Sequence, residues 1–127
     1  MSLSIPDGYQ QVMPYLIVKN ANQFSEFVKM VFNGKEVNRH MRDEKIIMHA
    51  ELKIGDSIIM FAEAVDPWKP QNAGMFIYVE NADETFQVAI NHGAEVLMQP
   101  ANQPYGRSCG VKDPFGNIWW ITSVLPK

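Results

Sequence analysis

The sequence has 127 residues, 46% hydrophobic and 20% charged, with a formal net charge of −3. That is enough chain for one domain with a real core, and the charge is too mild to imply a nucleic-acid or membrane partner. No apolar run approaches the roughly 18 residues a membrane span needs, no basic start leads into an apolar stretch, and the single Cys109 excludes an internal disulfide or a Cys-rich zinc site, so a cytoplasmic protein is expected.

Residues 12–18 read as a strand, with Met13, Tyr15 and Ile17 on one face and Pro14, Leu16 and Val18 on the other. Pro14 cannot donate to a ladder, which predicts an edge or bulge. Both faces are apolar, so both are expected to be covered. A helix follows over residues 22–32. Its stripe of Phe24, Phe27, Val28, Val31 and Phe32 has helical spacing, Asn22 is the expected N-cap and Gly34 the stop. Residues 36–41 suit a strand of mixed pattern. Residues 46–54 alternate: Ile46, Met48, Ala50, Leu52 and Ile54 on one face, Ile47, His49, Glu51 and Lys53 on the other. Residues 57–63 form the next strand. Residues 64–73, with Pro67, Trp68 and Pro70, read as a linker.

The second half repeats the order. Residues 75–80 are a strand. Residues 83–91 are a helix capped by Asp83 and stopped at Gly93, with Phe86, Ala89 and Ile90 on its buried face. Residues 95–99 form a short strand, residues 100–105 a loop, and residues 107–112 and 118–122 a closing hairpin. In Asp113-Pro114-Phe115-Gly116 the Asp side chain bonds backbone ahead of it, Pro fixes φ, and Gly supplies positive φ. The adjacent Trp119 and Trp120 point to opposite faces of that strand, Trp119 toward the helices.

An internal offset supports the duplication. Gly55 and Gly116 lie 61 positions apart, as do Val18 and Val79, and Asn20-Ala21 recurs as Asn81-Ala82 at the same distance. The expected class is α+β: two repeated βαβββ modules forming a mixed, largely antiparallel curled sheet around a cleft, with helices on the outer face. One domain is expected over residues 1–127, with module one at about 10–63, a linker at about 64–73 and module two at about 74–123.

Two such modules, with Asp113-Pro114-Phe115-Gly116-Asn117 before the last strand, resemble the vicinal oxygen chelate superfamily, the fold of glyoxalase and bleomycin resistance proteins. Pro14 to Val18, His49 to Ser57, and Tyr105-Gly106-Arg107 are similar to its PhnB-like subgroup. The resemblance covers residues 12–122 and implies a homodimer. It also implies a metal held by His, Glu or Gln on four strands. Carried over position by position, those ligands fall on Met13, Gly74, Trp120 and Ile59, or Met60 if the register slips by one. None is a good ligand for a hard or borderline divalent ion. No metal and no cofactor are therefore expected.

The same register turns Tyr15, Ile17, Phe76, Tyr78, Ile118 and Trp120 toward the cleft, a wall suited to a small aromatic or apolar molecule. His49 and Glu51 share a strand face and Glu63 could join them; all three could instead be a hydrogen-bonded or solvated face. Arg107 suits either an anionic ligand group or a carboxylate across the strands. Trp68 reads as a lid or a dimer contact. Cys109 reads as an inert buried thiol, and His40 and His92 as surface positions. Two functions stay open. One is a small-molecule binding protein using Tyr15, Phe76, Tyr78, Trp120, His49, Glu51 and Arg107. The other is a divergent metal-dependent lyase, isomerase or dioxygenase using His49, Glu51 and Glu63.

Overall fold

The structure, a computed structural model, describes residues 2–126. Met1 and Lys127, the ends of the expected domain, lie outside the described residues. The elements run β1 (Tyr15–Val18), α1 (Ala21–Phe32), β2 (Lys35–Met41), β3 (Ile47–Ile54), β4 (Ser57–Glu63), β5 (Gly74–Tyr78), α2 (Ala82–Asn91), β6 (Glu95–Gln103), β7 (Gly106–Lys112) and β8 (Ile118–Ser123). The two βαβββ modules are therefore present. The mixed, largely antiparallel sheet takes the form of two four-stranded sheets, ordered β1-β4-β3-β2 and β5-β8-β7-β6. In each, the first strand pairs parallel with the fourth and the remaining pairs are antiparallel. The identical order at both ends of the chain is the structural form of the 61-residue offset. Gly55 and Gly116 hold φ of 57° and 99° in corresponding hairpin turns, where a side chain would be strained.

The chain forms two compact units. One gathers the chain up to Lys29 and Asn33–Gln71; the other gathers Met30–Phe32 and the chain from Asn72 on.

In the first unit, Leu16, Val18, Ala50, Leu52 and Phe61 are buried with Phe24 and Val28 of α1. The rings of Phe24 and Phe61 meet edge-to-face at 5.2 Å. The strand expected from residue 12 begins only at Tyr15, so Pro14 lies just before it rather than within it, and β1 is an edge strand. Only one face of β1 is covered, however: Leu16 is 2% exposed and Tyr15 45%. The start of α1 also differs from expectation. Asn20, not Asn22, is the N-cap, in a left-handed conformation that leaves its side chain without a capping bond. Glu63 at the end of β4 takes over, accepting from the Asn20 and Ala21 amides at 2.9 and 3.0 Å. A carboxylate there meets unpaired N–H groups and the positive end of the helix dipole. At the other end Asn33 (φ 57°) makes the left-handed stop, not Gly34.

The alternation expected along residues 46–54 holds only from Ala50 onward. Between the pairs His40↔His49 and Met41↔Ile47, β3 carries one extra residue, Met48. This bulge reverses the faces before it, burying Ile47 and exposing Met48.

In the second unit α2 packs across β6, β7 and β8. Its N-cap is Asn81, whose side chain accepts from the Glu84 amide at 3.1 Å, so Asp83 is not the cap. Residues 100–103, expected as loop, belong to β6. Pro100 is tolerated because β6 is an edge strand, with register shifts flanking Met98.

Candidate functional site

The first unit brings three of the expected site residues into one hydrogen-bonded chain. Tyr15 on β1, Met60 on β4 and Glu51 on β3 stand opposite one another across the sheet, and Asn38 on β2 extends the row. Residues opposite in a ladder share a face. The Tyr15 hydroxyl lies 3.0 Å from His49 Nδ1, and His49 Nε2 lies 2.7 Å from Glu51 Oε2. The Tyr9 hydroxyl donates to the other Glu51 oxygen, Oε1, and Asn38 is the ladder partner of Glu51 on β2. Tyr9 and Asn38 were not singled out by the sequence. Tyr9 lies 42 residues from Glu51 in a segment without periodic pattern, so no local signal marks it.

The direction of this chain follows from the charge on Glu51 when His49 is neutral. Glu51 is only 5% exposed. Burial, the largest influence, pushes its pKa up, yet the bonds from Tyr9 and His49, together with the attraction of a charged His49, outweigh burial and hold it below the ordinary carboxylate value. The ionised carboxylate only accepts, so His49 Nε2 carries a proton. Burial, and then the Glu51 charge, push the Tyr15 phenol up, so Tyr15 keeps its proton. The bond to Glu51, ahead of burial, does the same for Tyr9. With the imidazole neutral, Nδ1 is bare and accepts from Tyr15.

Tyr15 also borders a cavity of about 680 Å³. Ile17, Met48 and Trp68 supply apolar walls, and Arg42 and Glu63 are the charged groups on its lining. The linker is ordered here. Val65 bridges to Trp68, and Gln71 exchanges backbone hydrogen bonds with Ile17 on the free edge of β1 at 3.2 and 2.9 Å. Trp68 is thus placed on the cavity wall. Glu63 is committed to the α1 amides.

The second unit carries the other aromatic candidates. Phe76 and Tyr78 are exposed on one face of β5, their rings edge-to-face at 5.2 Å. Tyr105 lies 6.2 Å from Phe76. Trp120 stands opposite Phe76 and Gly110, and its ring covers Gly110 so closely that a Cβ there would collide with it. Arg107 donates from Nε and Nη2 to the two oxygens of Asp83 at 2.9 and 3.0 Å. Of its two expected roles the structure shows the carboxylate, supplied by α2 rather than by a strand. Cys109 is buried, and burial pushes its thiol up to about 11, which suits an inert position.

The Asp113 turn is structural. Its buried carboxylate accepts from the Phe115 and Asn117 amides, the Asn117 side chain and Trp119 Nε1. Asn117 in turn accepts from the Ala73 amide at 3.1 Å. Trp119 is 2% exposed and packs on Phe32 of α1 at 4.4 Å.

The residues at the positions implied for a metal do not fit one. Gly74 has no side chain, the Trp120 indole covers Gly110, and Met13 offers one thioether. Ile59 is buried on the core side of β4, and Met60, the other position implied, stands opposite Tyr15 and Glu51 and offers a thioether. Among the substitutes, His49 and Glu51 bond each other and Glu63 caps a helix. No group of three or more His, Cys, Asp or Glu side chains that could hold a metal occurs among the described residues.

Comparison with known proteins gives a consistent result. The family model for the Glyoxalase/Bleomycin resistance protein/Dioxygenase superfamily matches residues 8–121. The fold is similar to TioX from Micromonospora sp. ML1, with TM-score 0.75 and 21% identity over 91% of this chain and 99% of that one. It is equally similar to the PhnB protein of Bacillus cereus, with TM-score 0.75 and 17% identity over 91% and 100%. An uncharacterized protein of Mycobacterium bovis is 29% identical over 118 residues, 84% of this chain and 78% of its own. No helix among the described residues is long and apolar enough to cross a membrane.

Proposed function

The chain belongs to the glyoxalase/bleomycin resistance protein/dioxygenase superfamily, and from that premise we propose that it is a small-molecule binding protein whose first-unit cavity takes an aromatic or apolar compound. The observation that carries this reading is the cavity of about 680 Å³ walled by Ile17, Met48 and Trp68, with a single oriented phenol, Tyr15, at its edge. Apolar walls with few fixed polar groups are what small-molecule sites offer. Phe76, Tyr78 and Trp120 present a further aromatic surface on the second unit and are proposed as contacts for the same class of ligand. The metal-dependent enzyme reading is weaker, because His49, Glu51 and Glu63 are each committed to hydrogen bonds. A cytoplasmic homodimer belongs to the same proposal. Light scattering after size exclusion is expected to give twice the 14.5 kDa chain mass, and a species of that single mass would remove the dimer.

The test of binding is a thermal-shift screen of neutral aromatic compounds, beginning with indole, on the protein and on Trp68→Ala. A ligand that prefers the native state raises the melting temperature. Loss of one ring contact removes about 0.5–1.5 kcal/mol beyond its area, a several-fold weakening. No shift with any compound would refute the reading.

A further inference from the structure

We propose that the ligand of this cavity is an apolar-bodied carboxylate that also carries an O–H or N–H, its anion held by Arg42 and its donor received by Tyr15. The inference rests on the binding reading above and specifies the chemistry of the occupant.

Two independent observations carry it. The first is the direction of the Tyr15 chain. With His49 in its neutral form, Nε2–H is engaged by Glu51 and the bare Nδ1 engages the sole hydrogen of the phenol. Tyr9 donates to the other Glu51 oxygen and so holds the carboxylate from behind. The Tyr15 oxygen therefore offers the cavity lone pairs and no hydrogen. A partner group that donates is satisfied there; one that only accepts faces like against like. The usual expectation, that a phenol in a pocket donates to a ligand carbonyl, is reversed.

The second is the balance of charge on the lining. Glu63 and Arg42 are its two charged side chains. Both Glu63 oxygens accept from the Asn20 and Ala21 amides at the start of α1, so the carboxylate is engaged by the helix end. Arg42 bears no side-chain hydrogen bond or ion pair with another described residue. The nearby Asp43, which feels its charge, uses its carboxylate on the Lys45 and Ile46 amides. Arg42 is thus the uncommitted charge on the lining, a planar donor fork matched to a carboxylate. Between the two polar ends the walls are Ile17, Met48 and Trp68, which set an apolar body for the ligand.

The test uses matched pairs, measured by titration calorimetry on the full chain at pH about 8.5, above the ordinary imidazole range. Indole-3-acetate and 4-hydroxyphenylacetate supply ring, carboxylate and donor. Their N-methyl and O-methyl counterparts delete the donor, indole-3-acetamide deletes the charge, and tryptamine reverses it. The expected result is at least tenfold tighter binding of each donor-bearing acid than of its methylated partner, with the amide weaker and the amine weakest. Tyr15→Phe is expected to abolish the preference for the donor while leaving the preference for the acid. Arg42→Gln is expected to do the opposite. Both residues are at least partly exposed, and circular dichroism confirms that each variant is folded.

Equal binding of the methylated and unmethylated acids, or tighter binding of tryptamine, would overturn the inference. Should neutral indole bind while neither acid does, the inference fails and the binding reading stands. Absence of binding by every compound refutes both.

Discussion

Replacing Trp119 separates two contributions that the structure assigns to one side chain. The indole is 2% exposed, its ring packs on Phe32 at 4.4 Å, and its Nε1 donates to Asp113 at 2.9 Å. Trp119→Ala removes a large buried aromatic, which costs about 3–5 kcal/mol, and takes one donor from a buried carboxylate. Trp119→Phe keeps a ring against Phe32 but loses the bond to the charged acceptor, about 1.5–3 kcal/mol, and leaves part of the indole volume unfilled. Trp120→Ala, at a side chain 37% exposed, is expected to cost about 1–2 kcal/mol, because only part of its apolar area is buried. Urea unfolding followed by circular dichroism reads all three variants without relying on the deleted fluorophore. Against a total stability of about 5–15 kcal/mol, Trp119→Ala leaves a marginal fold. The predicted order of severity is Trp119→Ala, then Trp119→Phe, then Trp120→Ala. If Trp120→Ala costs more than Trp119→Ala, the face assignment of β8 is wrong. If Trp119→Phe is as severe as Trp119→Ala, the packing on Phe32 contributes little.

Stability should fall on acidification through the Glu51 chain. Its folded pKa lies below the unfolded value of about 4.3, so its contribution is present above that pH and is lost as pH falls through the folded value. Urea midpoints measured between pH about 5 and about 3 should therefore drop more steeply for the native chain than for Glu51→Gln; parallel slopes would show that Glu51 does not titrate differently on folding. Arg107→Ala should leave ligand affinity unchanged in calorimetry, because both ends of its guanidinium fork are engaged by Asp83. A tenfold loss would return Arg107 to the binding site.

Much of the fold was legible in local pattern. The helical stripe of Phe24, Phe27 and Val28, the Asp113 turn and the paired glycines 61 positions apart are short-range signals, and each lands where the sequence places it. Several misplaced details share one cause, a partner distant in the chain. Asn22 looked like a cap because the true cap of α1 comes from Glu63, across β4. Asp83 looked like a cap because its partner Arg107 lies 24 residues away. The faces of residues 46–48 were reversed by a bulge that exists only in the pairing of β3 with β2. In the candidate site, the His49–Glu51 pair was visible as an i, i+2 strand pattern. Its extension to Tyr15, Tyr9 and Asn38 requires the strand order, which no periodicity encodes. Arg42 and Trp68 sit in a hairpin tip and a linker, where sequence patterning says least.

The central claim, a ligand cavity in the first unit, is tested most directly by titrating isotope-labelled protein with indole and following backbone amide shifts. The largest changes are expected on Ile17, Met48, Ala62, Trp68 and Gln71, on the cavity lining. Saturable shifts confined to residues after Asn72, or none at millimolar indole, would contradict it.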